Sequence, residues 1–169
     1  MLQKQIFIEK TGKYISISSY WIGRISLLNT KQNLKYLAPD VSFSDFGVEI
    51  RKKLSESKII SEEFFIYHFN DEAGLSLFNK NEEKKIMLSY GYKSVKAICK
   101  DAVYLTVSVI DNNLIIRPTH QDGLGTFTSV KDNVGNSVEF RYSINLSDEE
   151  LGQAVMDAFK HCTSIYKKK

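Results

Sequence analysis

Proline and cysteine are both scarce in this chain, with two of each in 169 residues. So few prolines, beside nine glycines, leave no stretch that could act as a linker, and a single domain over 1–169 is expected, ordered from about 3 to 165. Two cysteines cannot build a disulfide framework. Cys99 and Cys162 both sit in apolar stretches, which predicts buried free thiols. Long apolar runs are missing as well. The longest uncharged stretches, Tyr14–Gly23 and Ala102–Ile110, are interrupted by Ser, Thr or Gly and fall well short of the ~20 residues of a membrane-spanning helix. The opening Met1–Ile6 meets a charge at once, unlike a signal peptide, so a cytoplasmic protein is expected. Nor is there a strong charge of one sign. The formal net charge is +3, which the tail Lys167-Lys168-Lys169 alone could supply, and a nucleic-acid binder would carry a denser basic stripe. A small basic RNA- or DNA-associated protein stays as the alternative, motivated by a pI near 8.7 and the many lysines.

What is present is the patterning of an α+β fold. Gln5–Glu9 and Tyr14–Ser18, joined through Lys10-Thr11-Gly12, read as a β-hairpin. Tyr20–Leu37 shows no firm period, and its Trp21, Ile22, Ile25, Leu27 and Leu28 are expected in core or sheet. Ser42-Phe43-Ser44-Asp45 is a helix-capping signal, followed by Phe46, Ile50 and Leu54 at helical spacing, so a helix is expected over Asp45–Ser57. A short helix is predicted from about Asn81 to Tyr90 with Gly91 as its left-handed cap, and a helical turn over Ser94–Lys100. Val103–Val109 alternates as a strand, Asp111-Asn112-Asn113 turns, and Leu114–Arg117 returns until Pro118 stops it. Val138–Ile144 alternates again. Ser147-Asp148-Glu149-Glu150 is a full capping box, with Leu151, Ala154, Val155, Ala158, Phe159 and Cys162 forming the buried stripe of a helix over Asp148–His161. These helices are expected to pack on a mostly antiparallel sheet. The two capped helices also overlay without a gap, Ser42, Phe46, Gly47, Ile50 and Leu54 on Ser147, Leu151, Gly152, Val155 and Phe159, which suggests two related β-α halves.

Catalytic signatures are absent. His68, His120 and His161 pair with neither cysteine at metal-ligand spacing. Pro118–Gly125 holds His120, Asp122 and two glycines, but Thr126-Phe127-Thr128 follows as a β-like run where a phosphate-binding turn requires a helix N-terminus. No Walker, Gly-x-Ser-x-Gly or zincin pattern occurs. Acid–base work by His120 and Asp122 is a minor third reading. The segment Ser61–Glu83 stands out instead, with Glu62, Glu63, Asp71, Glu72, Glu82 and Glu83 against Lys80 in a basic protein. Interleaved with Phe64, Phe65, Tyr67, Phe69 and Phe78, these carboxylates suit capture of a basic partner, since charge steers encounter and aromatics anchor. Glu62, Glu63, Tyr67, Phe69, Asp71 and Glu72 are the candidate contact residues, with the Gly123–Val134 loop as the next choice.

Short motifs in a fixed order add a family resemblance over roughly Tyr90–Cys162. Tyr90-Gly91-Tyr92-Lys93-Ser94, then Ile116-Arg117-Pro118-Thr119-His120 with Leu124 behind it, then Leu146-Ser147-Asp148-Glu149-Glu150-Leu151-Gly152, resemble the immunity proteins of bacterial contact-dependent growth inhibition (CDI) systems. The resemblance implies a cytoplasmic protein without catalytic residues, metal or cofactor. Its implied partner is the C-terminal toxin domain of a cognate CDI effector, commonly a nuclease, rather than a membrane or nucleic acid. The motif residues themselves read as structural.

Overall fold

The computed structural model describes residues 1–167, so Lys168 and Lys169 of the basic tail lie outside the described residues. Two hairpins form the centre. Strands β1 (Leu2–Lys10) and β2 (Ile15–Ile22) pair antiparallel. They are followed by two short strands on β2, β3 (Ser26–Leu28) and β4 (Lys35–Leu37), by helix α1 (Phe43–Glu56), and by β5 (Lys58–Ile59), parallel to β2. Helices α2 (Glu62–Phe69), α3 (Glu72–Tyr90) and α4 (Val95–Asp101) come next. Then β6 (Val103–Ile110) and β7 (Asn113–Gly123) form the second hairpin, with β8 (Thr126–Ser129), β9 (Phe140–Ser143), helix α5 (Asp148–Phe159) and β10 (Thr163–Ser164) after it. β1 and β6 pair antiparallel and join the hairpins into one sheet.

Alternation decides which face is buried. Ile6, Ile8, Ile15, Ile17, Leu105, Val107, Leu114 and Ile116 point to one side of the sheet and are excluded from solvent. Against them lie Phe46, Ile50 and Leu54 of α1 and Leu151, Val155 and Phe159 of α5. Each such side chain contributes about 1.5–3 kcal/mol through burial. Both helices start as their caps dictate. Ser42 Oγ accepts from the Asp45 N–H at 3.1 Å, and at the second helix Ser147 Oγ accepts from the Glu150 N–H while the Glu150 carboxylate accepts in return from the Ser147 N–H at 2.8 Å, completing the box.

The two halves repeat, strand by strand. The β1–β2 pair Ile6–Ser19 recurs as Leu105–Pro118 in β6–β7, a shift of 99 residues at both positions. Ile15–Leu37 recurs as Leu114–Tyr142, so β4 maps to β9 with a shift of 105. Tyr20–Leu28 recurs as Thr119–Ser129, and the parallel pair Trp21–Lys58 as His120–Thr163. The overlay of the capped helices therefore extends to β1-β2-β3-β4-α1-β5 against β6-β7-β8-β9-α5-β10. Phe7 faces Thr106, its own repeat equivalent, across the β1–β6 seam, as a local two-fold axis requires. Helices α2, α3 and α4 lie outside the repeat, between the two copies.

Several expectations change. Pro118 does not stop β7, which runs on to Gly123. On the edge away from β6 it falls in the gap between the part of β7 that pairs with β9, up to Ile116, and the part that pairs with β8, from Thr119, so on that side Pro118 has no ladder partner. The helix expected from Asn81 begins nine residues earlier, at Glu72, because Asp71 caps it by accepting from the Gly74 N–H at 2.9 Å. Of Val138–Ile144 only Phe140–Ser143 is strand. Ile25 is exposed rather than core, while Trp21 and Ile22 are buried. Both thiols are free but only half-buried, and burial pushes the Cys162 thiol up to about 11.

Candidate partner-binding surface

Helix α2 is anchored by a small part of its surface. Ser61 Oγ caps it through the Phe64 N–H at 3.2 Å. Phe65 is buried against the β2–β3 turn, so close to Gly23 that a Cβ there would lie 2.3 Å from the ring. The Trp21 indole meets the edge of Phe64 at 4.9 Å and the His68 ring at 4.6 Å. That enclosure, with Lys31 nearby, lowers the pKa of His68 below the ordinary imidazole value. The rest of the helix is bare. Ile66, Tyr67 and Phe69 are 47 %, 69 % and 54 % exposed, three large apolar side chains within four residues. A helix apolar on more faces than the fold can cover marks an interaction surface.

The bare residues continue into neighbouring elements. A hollow of about 370 Å³ runs between Ile25 of the β2–β3 turn and Ile66 and Phe69. Phe69 also borders a recess of about 270 Å³ with Trp21, His68, Asp71, Glu72 and Leu75, and Ile25 borders another with Ile59 and Glu62. The result is one apolar strip, from Ile59 through Ile25, Ile66 and Phe69 to Leu75, with carboxylates at both ends.

Of the six residues read from the sequence, Glu62, Phe69, Asp71 and Glu72 border this strip, while Glu63 and Tyr67 lie on another exposed face of α2. Glu62, at one end, is paired with Arg24. Glu63 and Tyr67 stand one turn apart and exposed on α2. Phe69, Asp71 and Glu72 share the recess at the other end, where Asp71 spends one carboxylate oxygen on its cap and Glu72 is exposed. Glu82 is different from the rest of the acidic segment. It is buried, accepting from the Tyr36 hydroxyl at 2.8 Å and the Lys85 ammonium at 2.7 Å, and so belongs to the scaffold. Ile25, Ile59, Ile66 and Leu75 were not anticipated. The run Phe64-Phe65-Ile66-Tyr67-His68-Phe69 carried the signal, being too apolar for a helix with one buried face.

Two polar groups outside this strip serve the fold, His120 and Glu9. His120 Nδ1 is 2.7 Å from Thr163 Oγ1, a bond between β7 and β10. The Glu9 carboxylate accepts from the Tyr14 hydroxyl beside Tyr104, and burial raises its pKa above the ordinary value. Among the described residues, no group of three or more His, Cys, Asp or Glu could hold a metal ion, and no helix is long and apolar enough to cross a membrane.

Comparison with known proteins bears on both fold and family. The family model of CDI immunity proteins matches residues 4–162. A protein of unknown function from Neisseria meningitidis has the same fold, with a TM-score of 0.83 at 16 % identity over 95 % of each chain. A chain of a CdiA-CT/CdiI toxin and immunity complex from Yersinia pseudotuberculosis gives a TM-score of 0.80 at 20 % identity, covering 95 % of this chain and 98 % of that one. No curated protein matches.

Proposed function

Because the chain belongs to the CDI immunity protein family, whose members are toxin inhibitors rather than enzymes, we propose that it neutralises its cognate toxin domain by laying α2 and the start of α3 over that toxin's basic substrate groove. The toxin is a nuclease in this reading, and the complex forms in the cytoplasm. A nuclease must present positive charge where phosphates bind, and an inhibitor that covers that groove offers carboxylates in their place. The observation that carries the proposal is the exposure of Ile66, Tyr67 and Phe69 on one short helix, with Glu62, Glu63, Asp71 and Glu72 about them. The apolar side chains supply buried anchors that slow dissociation, and the carboxylates speed the encounter.

Association kinetics test it. Glu63→Lys combined with Glu72→Lys removes two exposed carboxylates that neither cap a helix nor hold Arg24. Binding of the cognate toxin domain should slow about tenfold or more at low ionic strength, with the difference shrinking as salt screens the charges. A folded double variant that associates at the wild-type rate in low salt places the interface elsewhere. Absence of nuclease activity in the free toxin domain would remove the basic-groove part of the proposal.

A further inference from the structure

The internal repeat exposes a vacancy. In the second half, the loop entering α5 is held by Arg51, which reaches across from α1. Its Nε donates to Asp148 at 2.8 Å, one terminal nitrogen to the Ile144 carbonyl at 3.2 Å, and the other to the Leu146 carbonyl. The same loop exists in the first half. Leu146 N–H donates to the Ser143 carbonyl at 3.3 Å, and 105 residues earlier Val41 N–H donates to the Ala38 carbonyl at 3.1 Å. Both loops then deliver the chain to a serine N-cap, Ser147 and Ser42. The carbonyls of Pro39 and Val41 therefore stand where those of Ile144 and Leu146 do.

What differs is the side chain from the facing helix. The repeat puts Met156 where the other half has Arg51, and a thioether cannot donate to a carbonyl. Among the described residues, no donor of the chain is bonded to the Pro39 or Val41 carbonyl. At this spot lies an open groove of about 1080 Å³ whose walls include Pro39, Asp40, Val41, Phe43 and Met156. The three lysines that also line it are already engaged, Lys10 over the Phe159 ring, Lys160 with the Asp157 carboxylate and Lys167 with the Asp101 carbonyl.

We propose that this groove is a second binding site, whose ligand is the side chain of an arginine carried by a partner protein. The planar fork of donors matches the two loop carbonyls as Arg51 matches theirs. Phe43, which occupies the place of Asp148, offers a ring face for the cation, and the Asp40 carboxylate beside it supplies the opposite charge. Lysine can reach two carbonyls only from a single nitrogen, as Lys4 does with those of Leu54 and Ser57, and lacks the parallel fork that Arg51 presents. The site is separate from the strip on α2, and its existence does not depend on the identity of the toxin.

The full chain, uniformly labelled with nitrogen-15, tests this without any partner. Titration with N-acetyl-arginine methylamide should shift the backbone amides of Val41, Ser42, Phe43 and Met156 saturably, at millimolar concentrations. N-acetyl-lysine methylamide should act there at least about fivefold more weakly. In Met156→Arg the groove is filled from within, as Arg51 fills its counterpart, and the response should vanish while the fold is kept. No saturable shift at these amides in the wild-type protein, or equal response to both probes, overturns the proposal. Should Met156→Arg not fold, the comparison of arginine with lysine on the wild-type protein decides alone. Toxin binding plays no part in the readout, so failure here is distinct from failure of the α2 interface.

Discussion

Gly47 of α1 and Gly152 of α5 meet at the crossing of the two helices, each against the backbone of the other. A Cβ on Gly47 would lie 1.8 Å from the Asp148 carbonyl oxygen, and one on Gly152 would lie 1.9 Å from that of Phe43. Asp148 precedes Gly152 by one helical turn, as Phe43 precedes Gly47, so the contact is reciprocal. This is the local two-fold axis seen from the helix layer, and the Phe7–Thr106 seam is the same axis seen from the sheet. Backbone atoms cannot swing aside as a long side chain can, so any Cβ must push the helices apart. Gly47→Ala and Gly152→Ala should each cost about 1–3 kcal/mol or more, in spite of alanine's better helix propensity. Urea unfolding measures this, and a change below about 0.5 kcal/mol in either variant would contradict the close crossing.

Arg51 gives a second test of the same geometry. Its guanidinium is bonded to two carbonyls and a carboxylate, with a third of the side chain exposed. Losing charged hydrogen bonds of this kind costs on the order of 1.5–3 kcal/mol. Arg51→Met should reach that range in denaturant titrations, and Arg51→Lys should recover only part of it, because an ammonium lacks the planar fork. Full recovery by lysine would mean that charge alone holds the loop.

Glu9 predicts a pH effect. Burial beside Tyr14 and Tyr104 raises its pKa in the folded protein above the ordinary 4.5, so the folded state keeps the proton to higher pH than the unfolded chain does. Its stabilising contribution is therefore complete below about 4.5 and declines as pH rises through the folded-state value. Glu9→Gln cannot ionise. The melting temperature of the variant relative to wild type should rise steadily from pH 4.5 upward. A difference that is flat or falls over that range would show the Glu9 carboxylate to be stabilised as an anion.

Much of this was legible in the sequence, and the limits are physical. The α1 and α5 elements were readable because capping chemistry and a buried stripe agree in each, down to the Ser147–Glu150 box. The strands through Val103–Val109 were readable because one face is buried and the other is not. The start of α3 was not, because its first turns hold Gly74 and the exposed Leu75 and Leu77, which blur any helical stripe. The repeat was visible only in the helices. The hairpins recur at 99 residues and the helices at 105, so no single offset aligns them until pairing partners are known. At the candidate surface, the acidic and aromatic residue types could be read, but their partners could not. That Asp71 is a cap, Glu82 a buried acceptor, and Ile25 and Ile59 neighbours of α2 are facts of tertiary packing.

The interface on α2 can be located without substituting any residue. Amide hydrogen exchange of the chain, alone and saturated with its cognate toxin domain, reports which backbone segments the partner covers. Exchange over Glu62–Leu75 and around Ile25 should slow on binding, while the sheet centre at Ile6–Ile8 stays as it was. Unchanged exchange across Glu62–Leu75, with slowing confined to another surface such as the Gly123–Val134 loop, would contradict the assignment.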